Sequence, residues 1–160
     1  MIRSSVVLFA VAALTGCAFH QSQPYMAYED QHPRADTAVF VALDQSTAQV
    51  ADARISAVDS VTTPSWKNGH PFWVRVKPGT HRFAIVSKAN YQFSGPLITW
   101  NEGRREITIP EMKPRHVYIA RYHWVQQRPA MQIEDLGENP DFSLVFGLPG
   151  VNDNRYRAEF

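Results

Sequence analysis

The chain has 160 residues, with 16 Lys and Arg side chains against 15 Asp and Glu, and a formal net charge of +1 at pH 7. A nearly neutral chain lacks the excess of Lys and Arg that is needed to bind many nucleic-acid phosphates at once, so we expect no nucleic-acid partner. Hydrophobic residues make up 44% of the chain, which at this length predicts one folded domain and excludes disorder throughout.

Residues 1–16 have the pattern of a secretory signal peptide. Residues 1–5 contain a single charge, Arg3, and residues 6–14 are uniformly apolar or small. This apolar run is too short to cross a bilayer as a helix, which needs about 20 residues, but it has the length of a signal-peptide core. The alternative is a buried N-terminal helix with a chance free thiol.

The stretch Leu14–Cys17, with the sequence LTGC, resembles the lipobox of bacterial lipoproteins. The resemblance implies cleavage before Cys17, a thioether-linked diacylglycerol on its sulfur, and an acyl chain such as palmitate on the new amine. Two acyl chains or more anchor a protein stably in a membrane, where one does not. Residue 18 is Ala rather than Asp, which by analogy with enterobacterial sorting favours the outer membrane, with the domain facing the periplasm. Cys17 is the only cysteine, so the folded part has no disulfide.

Residues 17–36 are predicted to form a lipid-anchored tether. They contain Gln, Ser, two prolines and scattered charges, without a helical or strand period. This composition is typical of an extended, mobile segment. In the alternative interpretation, three side chains of the segment pack on the domain or lie in the lipid interface, namely Tyr25, Met26 and Tyr28.

Residues 37–137 are dominated by short apolar runs with a period of two, which is typical of β-strands. No convincing helical period is found. We therefore predict an all-β domain, a small antiparallel β-sandwich of about seven to eight strands. In chain order, the predicted strands cover residues 37–43, 53–61, 71–86 as a hairpin around Pro78–Gly79, 96–109 as a hairpin around Asn101–Gly103, 116–125 and 131–137.

The apolar pattern also predicts which side chains face the core. In the 71–86 hairpin one face carries the large apolar residues, and strand 116–125 is apolar on both faces, as in a central strand covered on both sides. Residues 65–71 and 87–95 are predicted as loops. In the tail, 138–160, an apolar patch would add an edge strand or cover the sandwich, and the polar end from 151 would fray. The side chains expected to face the core are Phe72, Val74, Val76, Phe83 and Ile85 of the hairpin, and Met131 and Ile133 of the last strand.

The sequences VKPGTH at 76–81 and EITIPEMKPRHVYIARY at 106–122 resemble small bacterial β-sandwich lipoproteins related in style to PEGA and transthyretin-like modules. The resemblance covers residues 37–137. It implies a folded accessory or adhesion-like module with no catalytic residues to transfer.

No pattern for metal, cofactor or catalytic chemistry is found in the sequence. His116 and His123 are seven apart and would point to opposite faces of a regular strand, so they could not share an ion. Glu134 and Asp135 are adjacent and would likewise point apart, which favours solvated carboxylates over a catalytic pair. His81 is interpreted as a turn histidine bonded to backbone groups. We expect no metal, no cofactor and no enzymatic activity.

One candidate ligand site remains, on the face of the 71–86 hairpin opposite the core. In the predicted register Arg75 lies directly opposite Arg82, and Trp73 offers a platform on which a ligand could stack. Peptidoglycan, lipopolysaccharide phosphate or an acidic partner protein would suit such a site. The alternative is a solvated outer face that a neighbouring strand neutralises. The candidate residues are Trp73, Arg75, Lys77 and Arg82.

Three functions from different classes follow from these observations. The leading hypothesis is a lipid-anchored envelope lipoprotein that acts as a structural or protein-interaction module with an envelope protein partner. The second is a lipoprotein that binds a glycan or anion, peptidoglycan or lipopolysaccharide, through the Trp73 face. The third, ranked far behind, is a small hydrolase.

Overall fold

The computed structural model describes residues 21–28, 32–46, 50–91, 99–125, 128–146 and 154–160. These residues form an all-β sandwich, as predicted, with one short 3-10 turn at Arg34–Asp36. None of their helices is long and apolar enough to span a membrane. The predicted signal peptide and Cys17 lie outside the described residues. The strands are β1 (Tyr25–Met26), β2 (Ala38–Val41), β3 (Val50–Val58), β4 (Val61–Thr62), β5 (Trp73–Val76), β6 (Gly79–Tyr91), β7 (Thr99–Met112), β8 (His116–Val125), β9 (Arg128–Glu138), β10 (Ser143–Phe146) and β11 (Asn154–Arg157).

The strands are arranged in two main sheets and a two-stranded ribbon. The five-stranded sheet has the order β1-β5-β2-β8-β9, in which β1 pairs parallel with β5 and β2 pairs parallel with β8. The four-stranded sheet has the order β4-β3-β6-β7 and is antiparallel throughout. The ribbon consists of β10 and β11. Strands β2–β9 are the eight strands of the predicted domain, and β1 and the ribbon are additions to it.

The inner core lies between the two sheets. Alternate side chains of β2 and β5 point into it from one sheet, and those of β3 and β6 from the other. The rings of Phe40 and Phe83 meet at its centre with centroids 4.4 Å apart, and both are fully buried. Phe83, Ile85, Val74 and Val76 thus face the core as predicted.

A second, outer core lies on the other face of the five-stranded sheet, beneath the ribbon. Apolar side chains of β2, β5 and β8 that alternate with those of the inner core face this second layer. The ribbon is held by Gln45, whose amide donates to the Val145 carbonyl at 2.6 Å and accepts from the Val145 N–H at 2.8 Å. The buried members of the outer core are Val39, Val41, Leu43, Phe72, Trp73, Val117, Ile119, Leu144 and Ala158.

Strand β8 has the predicted bounds and the predicted central position, with β2 on one side and β9 on the other. Tyr118 and Ala120 face the inner core, whereas Val117 and Ile119 face the outer core. Met131 and Ile133 of β9 pack against the inner core, also as predicted.

The predicted 71–86 hairpin is wrong. Strand β5 pairs with β1 and β2 in one sheet, and β6 pairs with β3 and β7 in the other, so the chain crosses between sheets at Lys77–Pro78. Gly79, with a φ of +132°, begins β6 in a conformation that favours glycine. Phe72 precedes β5 and packs in the outer core rather than the inner one.

Three further predictions are also wrong. Asn101–Gly103 is not a turn, because β7 runs through it without a break, paired with β6. The predicted loop 87–95 is strand as far as Tyr91. Residues 154–160 are not frayed: β11 pairs with β10, and Ala158 is buried.

The tether prediction is wrong for residues 21–28, where the alternative interpretation is confirmed. Gln21 is buried, and its side chain accepts the Phe72 N–H at 2.9 Å and reaches the His70 carbonyl at 3.4 Å. Tyr25 and Met26 form β1, which pairs with β5. The segment is therefore part of the sandwich.

Candidate functional site

The four candidate ligand residues do not share an exposed face. Trp73 and Arg75 lie in β5 and are 0% and 3% exposed, because the ribbon and the N-terminal segment cover them. The Trp73 indole donates to the Gln21 carbonyl at 2.9 Å. Arg82 lies in β6 of the other sheet, exposed, and its guanidinium donates to the Ser60 hydroxyl at 2.5 Å. Lys77 lies where the chain crosses from one sheet to the other, with its ammonium 5.5 Å from the centre of the Tyr28 ring. The expected Arg75–Arg82 opposition does not exist.

Arg75 is a buried guanidinium held by neutral groups. It donates to the Thr37 hydroxyl at 2.8 Å and to the Glu159 carbonyl at 2.6 Å, and it lies 5.1 Å from the centre of the Phe160 ring. No carboxylate side chain among the described residues forms an ion pair with it. Burial lowers the pKa of Arg75, and the neighbouring positive charge of Arg34 lowers it further.

Arg75 forms part of the wall of a small cavity, which we call the arginine notch. The cavity has a volume of about 170 Å³. At about 30 Å³ for a water molecule in the liquid, this space suits a phosphate- or carboxylate-sized group rather than a whole sugar chain. The notch is lined by Ser22, Gln23, Pro24, Arg34, Arg75, Arg155, Tyr156, Arg157 and Glu159.

The charges around the notch are unbalanced. Arg34 bonds to the Gln23 side-chain oxygen at 3.0 Å and approaches the Glu159 carboxylate at 3.8 Å. Arg157 approaches Asp141 at 3.6 Å, and both side chains are mostly exposed. Exposed pairs at such distances contribute little free energy, so these arginines keep most of their capacity to bind an anion.

A larger cavity of about 420 Å³ lies beside the loop before β5, and we call it the Trp66 pocket. Its volume is within the range of small-molecule sites, about 300–1,000 Å³. Its wall combines one indole with several polar groups, a combination typical of sites that bind sugars. It is lined by Asp52, Arg54, Trp66, Lys67, Asn68, Gly69, His70 and Val86.

Local hydrogen bonds shape the Trp66 pocket. Trp66 and Gly69 exchange backbone hydrogen bonds at 3.1 and 2.8 Å, which closes a tight turn. A Cβ on Gly69 would lie 3.0 Å from Cδ of Arg54, and the φ of Gly69 is +92°, so glycine is needed there. Arg54 is fixed by Asp52 at 2.8 Å and by the His70 carbonyl at 3.0 Å.

Asp44 is a buried carboxylate just beyond the end of β2, and it is well satisfied by hydrogen bonds. Burial raises its pKa, but hydrogen bonds from the hydroxyl and N–H of Ser46, from the Tyr122 N–H and from Arg121 outweigh this effect, so the pKa lies below its usual value. Arg121 contacts Asp44 at 3.0 Å and Glu134 at 2.6 Å. This cluster ties β8 to β9 and to the end of β2, which gives it a structural role.

Two of the described histidines, His81 and His116, form hydrogen bonds with carboxylates. His81 contacts the Lys77 carbonyl at 2.8 Å, as predicted for a turn histidine, and also Asp59 at 2.6 Å. His116 contacts Asp135 at 2.9 Å. Within the part of the chain that the structure describes, no three metal-ligating side chains converge.

Neither cavity was predicted from the sequence, although the sequence contains one feature that points to each of them. Arg155 and Arg157 are two residues apart, so on a strand they share a face. Trp66 is a large aromatic residue in an otherwise polar loop, and in the structure its ring contacts that of Tyr25. Nothing in the spacing of Arg34, Arg75 and Arg155 indicates that they meet.

Comparison of the chain with protein-family models, with curated proteins and with solved structures gives no match.

Proposed function

We propose that the chain is a lipid-anchored lipoprotein of the bacterial cell envelope, whose β-sandwich serves as a structural or protein-interaction module without enzymatic activity. The observation that carries the proposal is the LTGC stretch at 14–17, directly after an apolar run of signal-peptide length. The lipid would hold the domain at the outer membrane, on its periplasmic side.

The packing of residues 21–28 makes the proposed anchor a short one. Only residues 18–20 separate Cys17 from Gln21, which is already buried in the sandwich. At about 3.6 Å per residue, the lipid lies no more than about 14 Å from Gln21, whereas a free tether over 17–36 would reach about 70 Å. A module held this closely would engage partners at the membrane surface rather than deep in the periplasm.

Fatty-acid labelling tests the anchor. Wild type should incorporate a clickable fatty acid, and Cys17→Ser should not, because the thiol carries the lipid. The matched control is the double variant Cys17→Ser/Ser22→Cys, which restores a thiol outside the LTGC stretch and should also stay unlabelled. Label on either variant would contradict the lipoprotein assignment.

Crosslinking in intact cells tests the protein-interaction role. Full-length protein recovered from crosslinked membranes should carry one reproducible envelope protein. The control is the same recovery from cells that express Cys17→Ser, which would be mislocalised and should lose that partner. Recovery of cell-wall or lipopolysaccharide material in place of a protein would favour the second candidate.

The second candidate function is glycan binding, and the Trp66 pocket is the observation that favours it. The half-buried Trp66 indole beside fixed polar groups suits a single sugar residue of peptidoglycan. Trp66→Ala should weaken binding of soluble peptidoglycan fragments by about 1–2 kcal/mol, the usual loss for a central aromatic contact. Arg82→Gln, from the face first predicted as the site, is the control and should bind as wild type does. Equal binding by Trp66→Ala and wild type would exclude the pocket.

A further inference from the structure

The arginine notch concentrates positive charge that the described carboxylates, Glu159 in its wall and Asp141 beside Arg157, neutralise only in part. Its wall carries four guanidinium groups and one carboxylate, that of Glu159, which leaves a formal charge of +3. Arg155 is exposed and forms no ion pair with any described carboxylate. Four like charges around about 170 Å³ repel one another, and a bound anion would relieve that repulsion.

Arg75 gives the notch a rigid base. Arg75 is 3% exposed, and its guanidinium is oriented by the Thr37 hydroxyl and the Glu159 carbonyl. Those two bonds use two of the five N–H donors that a guanidinium has. The Glu159 carboxylate favours the charge of Arg75 but pairs with Arg34 instead. Because a buried charge normally has a charged partner within hydrogen-bonding distance, an anion in the notch would supply that partner.

The position of the notch indicates where such an anion comes from. Ser22, Gln23 and Pro24 form one wall, and Ser22 is five residues from Cys17. With Cys17 lipidated, the wall lies within about 18 Å of the membrane surface, at ~3.6 Å per residue. Lipid phosphates are the most concentrated anions there, and their field extends about 8 Å into solution at physiological salt.

We propose that the arginine notch binds the phosphate of an anionic lipid head group in the membrane to which the chain is anchored. The inference rests on the proposed function, because the anchor brings the notch to the membrane. Arg75 fixes the position of the phosphate, and Arg34, Arg155 and Arg157 donate from the rim. The small volume admits the phosphate and leaves the acyl chains in the bilayer. The contact fixes the orientation of the sandwich on the membrane.

The test uses the full chain in micelles of an uncharged detergent, so that binding does not depend on acylation of Cys17. Short-chain phosphatidylglycerol, short-chain phosphatidylcholine and inorganic phosphate are titrated separately, and dissociation constants are measured by calorimetry. Phosphatidylglycerol should bind at least about tenfold more tightly than phosphatidylcholine, because the choline cation cancels the phosphate charge.

The variant Arg155→Gln/Arg157→Gln keeps the buried Arg75 and changes only exposed side chains. It should weaken phosphatidylglycerol binding by about fivefold for each arginine removed. The matched control, Arg82→Gln/Arg104→Gln, removes the same charge from the other sheet and should bind as wild type does. Thermal unfolding of each variant confirms that it is folded.

Equal binding of the two lipids would overturn the proposal, because the protein would then not distinguish an anionic head group. An equal loss in the control variant would also overturn it, because binding would then depend on the overall charge of the protein rather than on the notch. Inorganic phosphate that binds as tightly as phosphatidylglycerol would overturn the membrane source. Failure of fatty-acid labelling would instead count against the lipoprotein assignment alone, since the micelle measurement needs no lipid on Cys17.

Discussion

The two faces of the five-stranded sheet are both buried, but in different ways. The inner face packs on a second sheet of similar size and carries only apolar side chains at its centre, such as Phe40 and Val74. The outer face is covered by a two-stranded ribbon and holds one buried charge, Arg75, while a second buried charge, Asp44, lies just beyond the end of β2. Asp44 has a charged partner in Arg121, whereas Arg75 has neutral partners. A polar residue at an alternating position is therefore no proof of a solvated face.

The two faces differ because the segments that cover them lie at different distances along the chain from the strands of the sheet. Most of the inner face is closed by strands that the domain pattern itself supplies. The outer face is closed by a segment whose apolar content is modest, and the bond from Arg75 to Glu159 spans 84 residues. Closing the outer face thus depends on a few long-range contacts.

Removal of residues 139–160 should have the largest effect on this comparison. It exposes the outer face, including Val41, Trp73 and Ile119, which are now buried. At about 1.5–3 kcal/mol for each large apolar side chain, the loss approaches the 5–15 kcal/mol that stabilises a typical domain. We expect no cooperative unfolding transition by circular dichroism. Asn154→Ala, an exposed ribbon change, is the control and should unfold as wild type does. A truncated chain with the wild-type midpoint would show that the cover is dispensable.

Phe83→Ala tests the packing of the inner core. Phe83 is fully buried against Phe40, so the truncation leaves a cavity between the sheets. The free energy of unfolding should fall by about 3–5 kcal/mol, measured by chemical denaturation. Val61→Ala, at a side chain that is 69% exposed, should change it by less than about 0.5 kcal/mol. A loss below 1 kcal/mol for Phe83→Ala would show that the inner core is loosely packed.

Asp44→Asn tests the buried charge that has a charged partner, Arg121. The folded pKa of Asp44 lies below its usual value, so its contribution is present above the unfolded pKa of about 3.9 and is lost as pH falls through the folded pKa. At pH 7 the variant should lose about 1–3 kcal/mol of unfolding free energy. Below pH 4 the difference from wild type should shrink, because wild-type Asp44 becomes protonated. A difference that does not change with pH would contradict this mechanism.

Arg75→Met tests the charge that lacks a charged partner, and the expected effect is the smallest. Met fills similar volume and removes a desolvated cation, while the Thr37 hydroxyl and Glu159 carbonyl each lose one donor. These effects oppose each other, so unfolding free energy should change by no more than about 1 kcal/mol in either direction. Arg75→Ala, which also leaves a cavity, should cost more. A loss above 3 kcal/mol for Met would mean that the charge itself stabilises the sheet.

The sequence predicts which core a side chain faces better than it predicts which strands pair with each other. Val74 and Phe83 point into one core whether β5 and β6 pair with each other or lie in opposed sheets, so their alternation could not separate the two arrangements. Strand β8 was predicted correctly because it is apolar on both faces. Gly103 resembles a turn residue but lies within β7, opposite Ser87 of the long β6 strand. A partner strand of that length outweighs the local turn preference.

The candidate site was the least predictable part. Trp73 and Arg75 were expected in solvent because the strand alternates, and the distant ribbon and the N-terminal segment bury them. Asp44 and Arg121 are 77 residues apart in the chain, and the arginines of the notch come from three separate segments. Contacts of this kind are set by the packing of whole sheets, which no local spacing encodes.

The ribbon is also made after the strands that it covers. Synthesis runs from the N-terminus, so Val41 and Trp73 emerge long before Leu144, and the Glu159 carbonyl that receives Arg75 comes later still. Until then one face of the growing sheet is an uncovered apolar surface, which is prone to aggregation. The fold therefore ties solubility during synthesis to completion of β10 and β11, and a chain that stalls or is cut before them would be a natural substrate for chaperones and proteases.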